Sequence, residues 1–355
     1  MNKKVKKLQE KLKDRNLDGV VIFSRPNTIY FSGFLGTTSV ILITFDEAIF
    51  ATDFRYLELA TGLCSKDFTI EKATVGPGYI GEKIKELGLQ TVGFEDESVS
   101  YSMLMHWAEQ APNVEFVGIE SDIKGLRRIK TSDEIALLQK AVDIGDAAFS
   151  HILELIKPGV TEIEIAAELE YFMRKSGALK PSFETISVSG TKTSMPHGMP
   201  DDKKIELGDP VTMDFGCVYK GYCSDMTRTV FVGNPSDKMR DIYNLVLRAQ
   251  VESQQTAYAG MTGIEVDAIA RRMIYSAGFE GCFDHGLGHS VGIDIHEEPR
   301  FNTKDSTVME NNMIMTVEPG VYVAGLGGVR IENMIVINDD KPISLTKSTK
   351  ELIIL

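Results

Sequence analysis

The sequence predicts two parts, a small α/β domain followed by a larger α+β domain built by internal duplication. Three observations carry this. Helical and β-rich runs alternate from residue 1 to about 122, the basic stretch KGLRRIK (124–130) follows as a connection, and two later segments about a hundred residues apart repeat the same residues in the same order. A chain of 355 residues is long enough to give each part its own core.

In the first part, a charged amphipathic helix over about 3–15 precedes DGVVIFS (18–24), and the β-rich runs SVILIT (39–44) and AIFAT (48–52) follow. Helical patterns near 78–87 and 101–111 alternate with apolar stretches at 91–94 and 114–117. Ser132-x-Glu134 then opens a long amphipathic helix to about Ile156, which Lys157-Pro158-Gly159 ends. The duplication starts there. PGVTEIEIAAELEYFMRKSGA from Pro158 aligns with AGMTGIEVDAIARRMIYSAGF from Ala259, matching Gly159/Gly260, Thr161/Thr262, Glu164/Glu265 and Gly177/Gly278. VTMDFG (211–216) aligns with MTVEPG (315–320), pairing Asp214 with Glu318 and Gly216 with Gly320. Each half reads as two helices followed by antiparallel strands, consistent with a pseudo-twofold axis.

Charge excludes some functions. Asp+Glu 51 against Lys+Arg 38 gives −13, a surface that repels polyanions, so neither nucleic acid nor an anionic membrane is an expected partner. No apolar run reaches the ~18 residues of a membrane span, and the N-terminal MNKKVKKLQEKLKDRN lacks a signal-peptide apolar core; a cytoplasmic location is expected. Cys64, Cys217, Cys223 and Cys282 form no C-x-x-C pair and are expected to be reduced, mostly buried thiols. His197, His285, His289 and His296, by contrast, sit among Gly, Pro and acidic residues, where chemistry is more often found.

VTMDFGCVYKGYCSDMTRTVFVG reads as a hairpin turning near Tyr219-Lys220, which sets Asp214 directly opposite Asp225 on one face. Opposed Cβ atoms lie about 4.5–5.5 Å apart, so two half-buried carboxylates there require a cation or a shared proton; on an exposed hairpin they would simply be solvated. The second half adds His289, Glu318 and Glu332. Four carboxylates and one imidazole form a hard donor set that neutralises two divalent ions and suits Mn2+, Co2+ or Fe2+ better than thiolate-seeking metals, with Zn2+ left open. Two ions about 3.5 Å apart would hold a bridging water as hydroxide, which points to metal-assisted hydrolysis. GLGHSVG follows G-x-G-x-x-x-G and matches no phosphate-binding pattern; its glycines suit close approach of backbone to a metal or substrate. His289 and His296, seven apart, can share a pocket only if the chain bends between them.

At MPHG (195–198), MDFG (213–216), SDMTRT (224–229), HGLGHSVG (285–292), HEEPR (296–300), VEPGVY (317–322) and GGVRIEN (327–333), the sequence resembles the pita-bread metallopeptidases, in the branch containing Xaa-Pro dipeptidase (prolidase) and aminopeptidase P. TDFRY (52–56) also resembles that branch's creatinase-type N-terminal domain. The resemblance implies a creatinase-like α/β domain over 1–122, a linker over 123–131 and an α+β pita-bread catalytic domain over 132–355. It implies Asp214, Asp225, His289, Glu318 and Glu332 as ligands of two metals. His197 and His296 would flank the scissile bond and stabilise the oxyanion, and Glu318 would move a proton from water to the leaving nitrogen. His285 and Tyr322 would line the substrate side, Arg330 would order the site beside Glu332, and Phe183 would wall the proline pocket. Asn333 stands where many relatives have Asp, at a position that is not a ligand.

The implied substrates are short proline-containing peptides. An X-Pro nitrogen has no N–H and its ring fixes φ, so peptidases that dock substrate as a regular strand handle it poorly. Arg300, in HEEPR, suits bidentate recognition of the free carboxylate of a C-terminal proline, which favours a dipeptidase over aminopeptidase P. A non-catalytic peptide-binding relative is the reading from another class, although such relatives typically lose ligands. The resemblance also implies a homodimer in which the N-terminal domain approaches the partner's active site.

Overall fold

In the computed structural model, which describes residues 2–355, the chain divides into two units between Arg127 and Arg128. The first unit runs α1 (Lys3–Asp14), β1 (Gly19–Ile22), α2 (Arg25–Ser32), β2 (Val40–Thr44), β3 (Ala48–Thr52), α3 (Leu57–Cys64), β4 (Thr69–Lys72), α4 (Pro77–Glu86), β5 (Thr91–Phe94), α5 (Tyr101–Gln110), β6 (Glu115–Gly118) and α6 (Glu120–Arg128). Its six strands form one mixed sheet in the order β4-β3-β2-β1-β5-β6, with β1 antiparallel to β2 and parallel to β5. Val20, Val21, Ile41 and Ile43 are buried on both faces of the sheet, which is why these strands read as continuous apolar runs.

The anticipated strands and helices of this unit are present, together with four elements the sequence patterns did not reveal: α2, α3, β4 and α6. Each is short. In α2, Ser24 caps the N-terminus and Pro26 occupies its first turn, a start signal without enough length for periodicity to develop. The expected linker over 123–131 is instead helical as far as Arg128, because α6 buries Ile123 and Arg127.

The second unit opens with α7 (Ser132–Ile152), whose cap is Thr131 in a capping box with Glu134. Its first half continues through α8 (Glu162–Lys175), β7 (Lys180–Pro181), β8 (Ile186–Ser189), β9 (Pro210–Phe215), β10 (Cys217–Tyr219), β11 (Tyr222–Cys223) and β12 (Met226–Phe231). The second half runs α9 (Asp237–Thr256), α10 (Gly263–Ser276), β13 (Gly288–Ser290), β14 (Glu297–Phe301), β15 (Ile314–Val317), β16 (Gly320–Val323), β17 (Gly327–Arg330), β18 (Asn333–Val336) and β19 (Ile343–Ser344). The trio β8-β9-β12 repeats as β13-β15-β18, all antiparallel, with α7 and α8 recurring as α9 and α10. Thr161 and Thr262 build the same capping box with Glu164 and Glu265, and Gly159 and Gly260 share left-handed φ values of 93° and 97°. Each half has its own core, one around Phe149, Leu169 and Phe215, the other around Tyr243, Phe283 and Met315. This is the duplicated pita-bread architecture.

All four cysteines are free thiols, three of them buried. No helix among the described residues is long and apolar enough to cross a membrane.

Candidate metal centre

The hairpin places the first two carboxylates, with one correction to its register. The turn is Lys220-Gly221, both at positive φ, so Asp214 pairs with Thr227 and not with Asp225. Moving the turn by one residue shifts the pairing by two. Parity is therefore kept: Asp225 becomes a diagonal neighbour of Asp214 on the same face. Gly216 makes this possible, since a Cβ there would sit 1.8 Å from the Ser224 carbonyl oxygen. In the second half Glu318 lies just after β15, and Glu332 lies between β17 and β18. The chain also bends between β13 and β14, which brings the His289 and His296 rings to 4.5 Å between centroids.

Twelve side chains singled out from the sequence line one cavity of about 1010 Å3: Phe183, His197, Asp214, Asp225, His285, His289, His296, Arg300, Glu318, Tyr322, Arg330 and Glu332. Asp225, His289 and Glu332 each offer a donor atom within 4.8 Å of the others. His289 Nε2 is 3.4 Å from Glu318 Oε1 and 3.6 Å from Asp225 Oδ2. Its Nδ1–H donates to the Ser290 carbonyl at 3.1 Å. Burial, and then the neighbouring His296, lower its pKa to about 3, so the ring is neutral and Nε2 carries a lone pair. That lone pair faces carboxylate oxygens, an arrangement that repels until a cation lies between them.

The carboxylates show the same incompleteness. Asp214 Oδ1 and Glu332 Oε1 are buried without a hydrogen-bond partner. Burial, reinforced by Glu332 and Asp214, pushes the Asp225 carboxyl well up; burial and then Glu318 do the same to Glu332. Burial raises Glu318 to about 8, with Asp214 adding to the rise against the opposing pull of Arg330. Orphaned oxygens, an unprotonated imidazole nitrogen and mutual repulsion fit bound divalent cations, with Asp225, His289 and Glu332 bringing donor atoms together.

Around this set, Arg330 makes four hydrogen bonds. It donates to Asp214 Oδ2 (2.7 Å), the Tyr322 hydroxyl (2.9 Å), Thr227 Oγ1 (3.1 Å) and the Pro196 carbonyl (3.2 Å), which ties the loop bearing His197 to the centre. His285 donates from Nδ1 to the Gly286 carbonyl (2.7 Å) and accepts the Tyr322 hydroxyl proton at Nε2 (3.0 Å). Burial, with Arg330 next, lowers its pKa to about 4 and keeps it neutral. His197, His296 and Arg300 are exposed to the cavity, and the Arg300 guanidinium has no hydrogen-bond or ion-pair partner among the described residues. Two orienting residues escaped the sequence reading. Thr227 Oγ1 donates to Glu332 Oε2 at 2.7 Å, and Thr316 Oγ1 donates to Glu318 Oε1 at 3.1 Å while accepting the His289 N–H. Their only sequence signal is a place two residues from Asp225 and from Glu318.

A duplicated α+β unit with an oxygen-rich, histidine-flanked cavity defines the class, that of the pita-bread metallohydrolases. The profile of metallopeptidase family M24 matches residues 136–339, and that of the creatinase/prolidase N-terminal domain matches residues 4–129. The chain is 39% identical to an Xaa-Pro dipeptidase of Pyrococcus furiosus, over 99% of this chain and all of that one. Among solved structures it is similar to an Xaa-Pro dipeptidase from Bacillus anthracis, with TM-score 0.95, 44% identity and 99% of each chain covered. It is also similar to an X-Pro aminopeptidase from Thermotoga maritima, with TM-score 0.92 and 35% identity over 98% of this chain and all of that one. The chain belongs to metallopeptidase family M24.

Proposed function

We propose that this metallopeptidase hydrolyses the Xaa-Pro bond of dipeptides, as a prolidase, with two divalent ions, Mn2+ or Co2+ for preference, held by Asp214, Asp225, His289, Glu318 and Glu332. The observation that carries the dipeptidase reading is Arg300, a free guanidinium on the wall of the same cavity, suited to grip the carboxylate of a C-terminal proline. Bound divalent ions supply a Lewis acid and lower the pKa of water to near neutrality. The chain's own residues do the rest. Phe183 presents an apolar wall to the proline ring, and His197 and His296 donate hydrogen bonds to the scissile carbonyl as its oxygen gains charge. Glu318, ionised when it holds metal, accepts a proton from water at its carboxylate and delivers it to the proline nitrogen as that bond breaks. Tyr322 spends its proton on His285 Nε2 and His285 spends its own on the Gly286 carbonyl, so they shape the site and donate nothing to substrate.

The test compares Leu-Pro with Leu-Pro-Gly. Arg300→Ala is expected to raise KM for the dipeptide far more than for the tripeptide. Equal effects on both would favour the aminopeptidase reading, which the likeness to the Thermotoga maritima enzyme supports. No turnover of either peptide with Mn2+ or Co2+ added would leave a peptide-binding protein.

The reading includes a cytoplasmic homodimer. Four free thiols suit a reducing compartment. Leu59 and Leu63, four apart on α3, form an exposed apolar pair, and Phe54 just before the helix is 74% exposed; these suit a second copy. A monomer mass by light scattering at all concentrations would overturn the dimer.

A further inference from the structure

Lys130 closes the basic run KGLRRIK, which the sequence assigns to a connection and to no function. Its side chain is only 2% exposed. The ammonium donates to Ser290 Oγ at 3.0 Å and to Glu297 Oε2 at 3.1 Å. These two acceptors are cross-strand partners, and each directly follows one of the two neighbouring histidines, His289 and His296.

Between Ser290 and Glu297 lie the six residues of the bend that the histidines require. The ladder does not fix that bend. The register jumps from His289↔Arg300 to Ser290↔Glu297 and skips Glu298 and Pro299. Glu297 supplies what is missing, since its Oε1 accepts the N–H groups of Ile293 at 3.0 Å and Asp294 at 3.2 Å. Gly292 leaves room for the carboxylate, because a Cβ there would lie 2.5 Å from both its oxygens. Ser290 also links the clamp to the metal centre, as its carbonyl receives the His289 Nδ1–H that keeps Nε2 unprotonated. One ammonium therefore holds both ends of the bend, and one carboxylate holds its middle.

We infer that Lys130 is a positioning residue for the His289 and His296 pair, acting through Ser290 and Glu297, and that with Glu297 it sets the distance between the two imidazoles. The inference rests on the metallopeptidase reading above. A buried ion pair is weak evidence for stability, since an apolar replacement of both partners often costs nothing. That fact separates positioning from support.

The experiment compares full-length wild type, Lys130→Met and the double variant Lys130→Met/Glu297→Gln. It measures Tm, kcat and KM on Leu-Pro, and the visible spectrum and affinity of bound Co2+. Lys130→Met takes the ammonium away from Ser290 Oγ and Glu297 Oε2 and should lower both Tm and kcat. The double variant should recover Tm, keep KM within about threefold, and still show kcat and Co2+ affinity reduced by about 10–100-fold with an altered Co2+ spectrum. Recovery of kcat and of the spectrum together with Tm would make Lys130 merely structural and overturn the inference. Co2+ binding without turnover in the wild type would remove the peptidase reading alone, and the spectra would still decide the clamp. Failure of the wild type to bind Co2+ would remove both.

Discussion

Each unit buries carboxylates, and each deals with them differently. In the N-terminal unit, Glu95 follows β5 with no exposed surface, and its oxygens are fully supplied from within. They accept the N–H groups of Phe23 and Ser24, the Ser24 hydroxyl at 2.5 Å and the Asn27 amide at 2.6 Å, all at the N-terminus of α2 where a negative charge is welcome. Its neighbour Glu120 is not so supplied; burial and then Glu95 push it up to about 7, so a proton settles the account. In the catalytic unit, Asp214, Asp225, Glu318 and Glu332 crowd more charge together, and Asp214 Oδ1 and Glu332 Oε1 receive no donor. Their oxygens face a cavity and an imidazole lone pair. A buried carboxylate saturated by its own chain is structural, whereas one left open toward a cavity awaits a cation.

The sharpest way to break this contrast is chelation. It should abolish Xaa-Pro turnover, restored by Mn2+ or Co2+, and lower the unfolding temperature of the catalytic unit while leaving the N-terminal unit unchanged by calorimetry; equal shifts in both would dissolve the distinction. Proton release comes next. With carboxyl pKa values raised, Glu318 to about 8, the folded metal-free centre binds more protons than the unfolded chain between about pH 4.5 and 8. Metal-free stability should therefore fall as pH rises through that window, and metal loading at pH 7 should release protons, seen as buffer-dependent heats in titration calorimetry. Buffer-independent heats would mean that the carboxylates are already ionised. Thr227→Val removes the hydroxyl that orients Glu332 and should weaken metal binding by about 10–100-fold, measured by competition with a chromophoric chelator. Smallest in effect on activity is Glu120→Gln, which should leave turnover and metal affinity unchanged. It should flatten the loss of N-terminal-unit stability between about pH 4.5 and 7, where the raised pKa of Glu120 makes ionisation costly. A changed metal affinity would show that the two carboxylate groups are not independent.

Much of the site was legible in the sequence because its chemistry is carried by residue type. Hard donors of one sign, repeated in two aligned halves, identify a cation centre before any geometry is known. The central strands of the N-terminal unit were legible because their residues are almost continuously apolar. The short elements α2, α3, β4 and α6 were not, since eight or nine residues, or four in a strand, establish no clear period and are stabilised mainly by what they pack against. The hairpin was misplaced by one turn residue because Lys220, a poor candidate for positive φ, occupies the turn beside Gly221. Thr227 and Thr316 were passed over because a threonine in a strand is ordinary until its hydroxyl is seen on a carboxylate.

Sequence alone determined the candidate donors, the duplicated plan and, through the period of two in a strand, the shared face of Asp214 and Asp225. Only the tertiary structure decided which atoms are spent and which are free. Arg330 occupies one oxygen of Asp214, the Ser290 carbonyl fixes the His289 tautomer, and Lys130 reaches 160 residues along the chain to Ser290. The physical reason is that hydrogen-bond satisfaction depends on distant partners arriving in one place, and local periodicity carries no record of them.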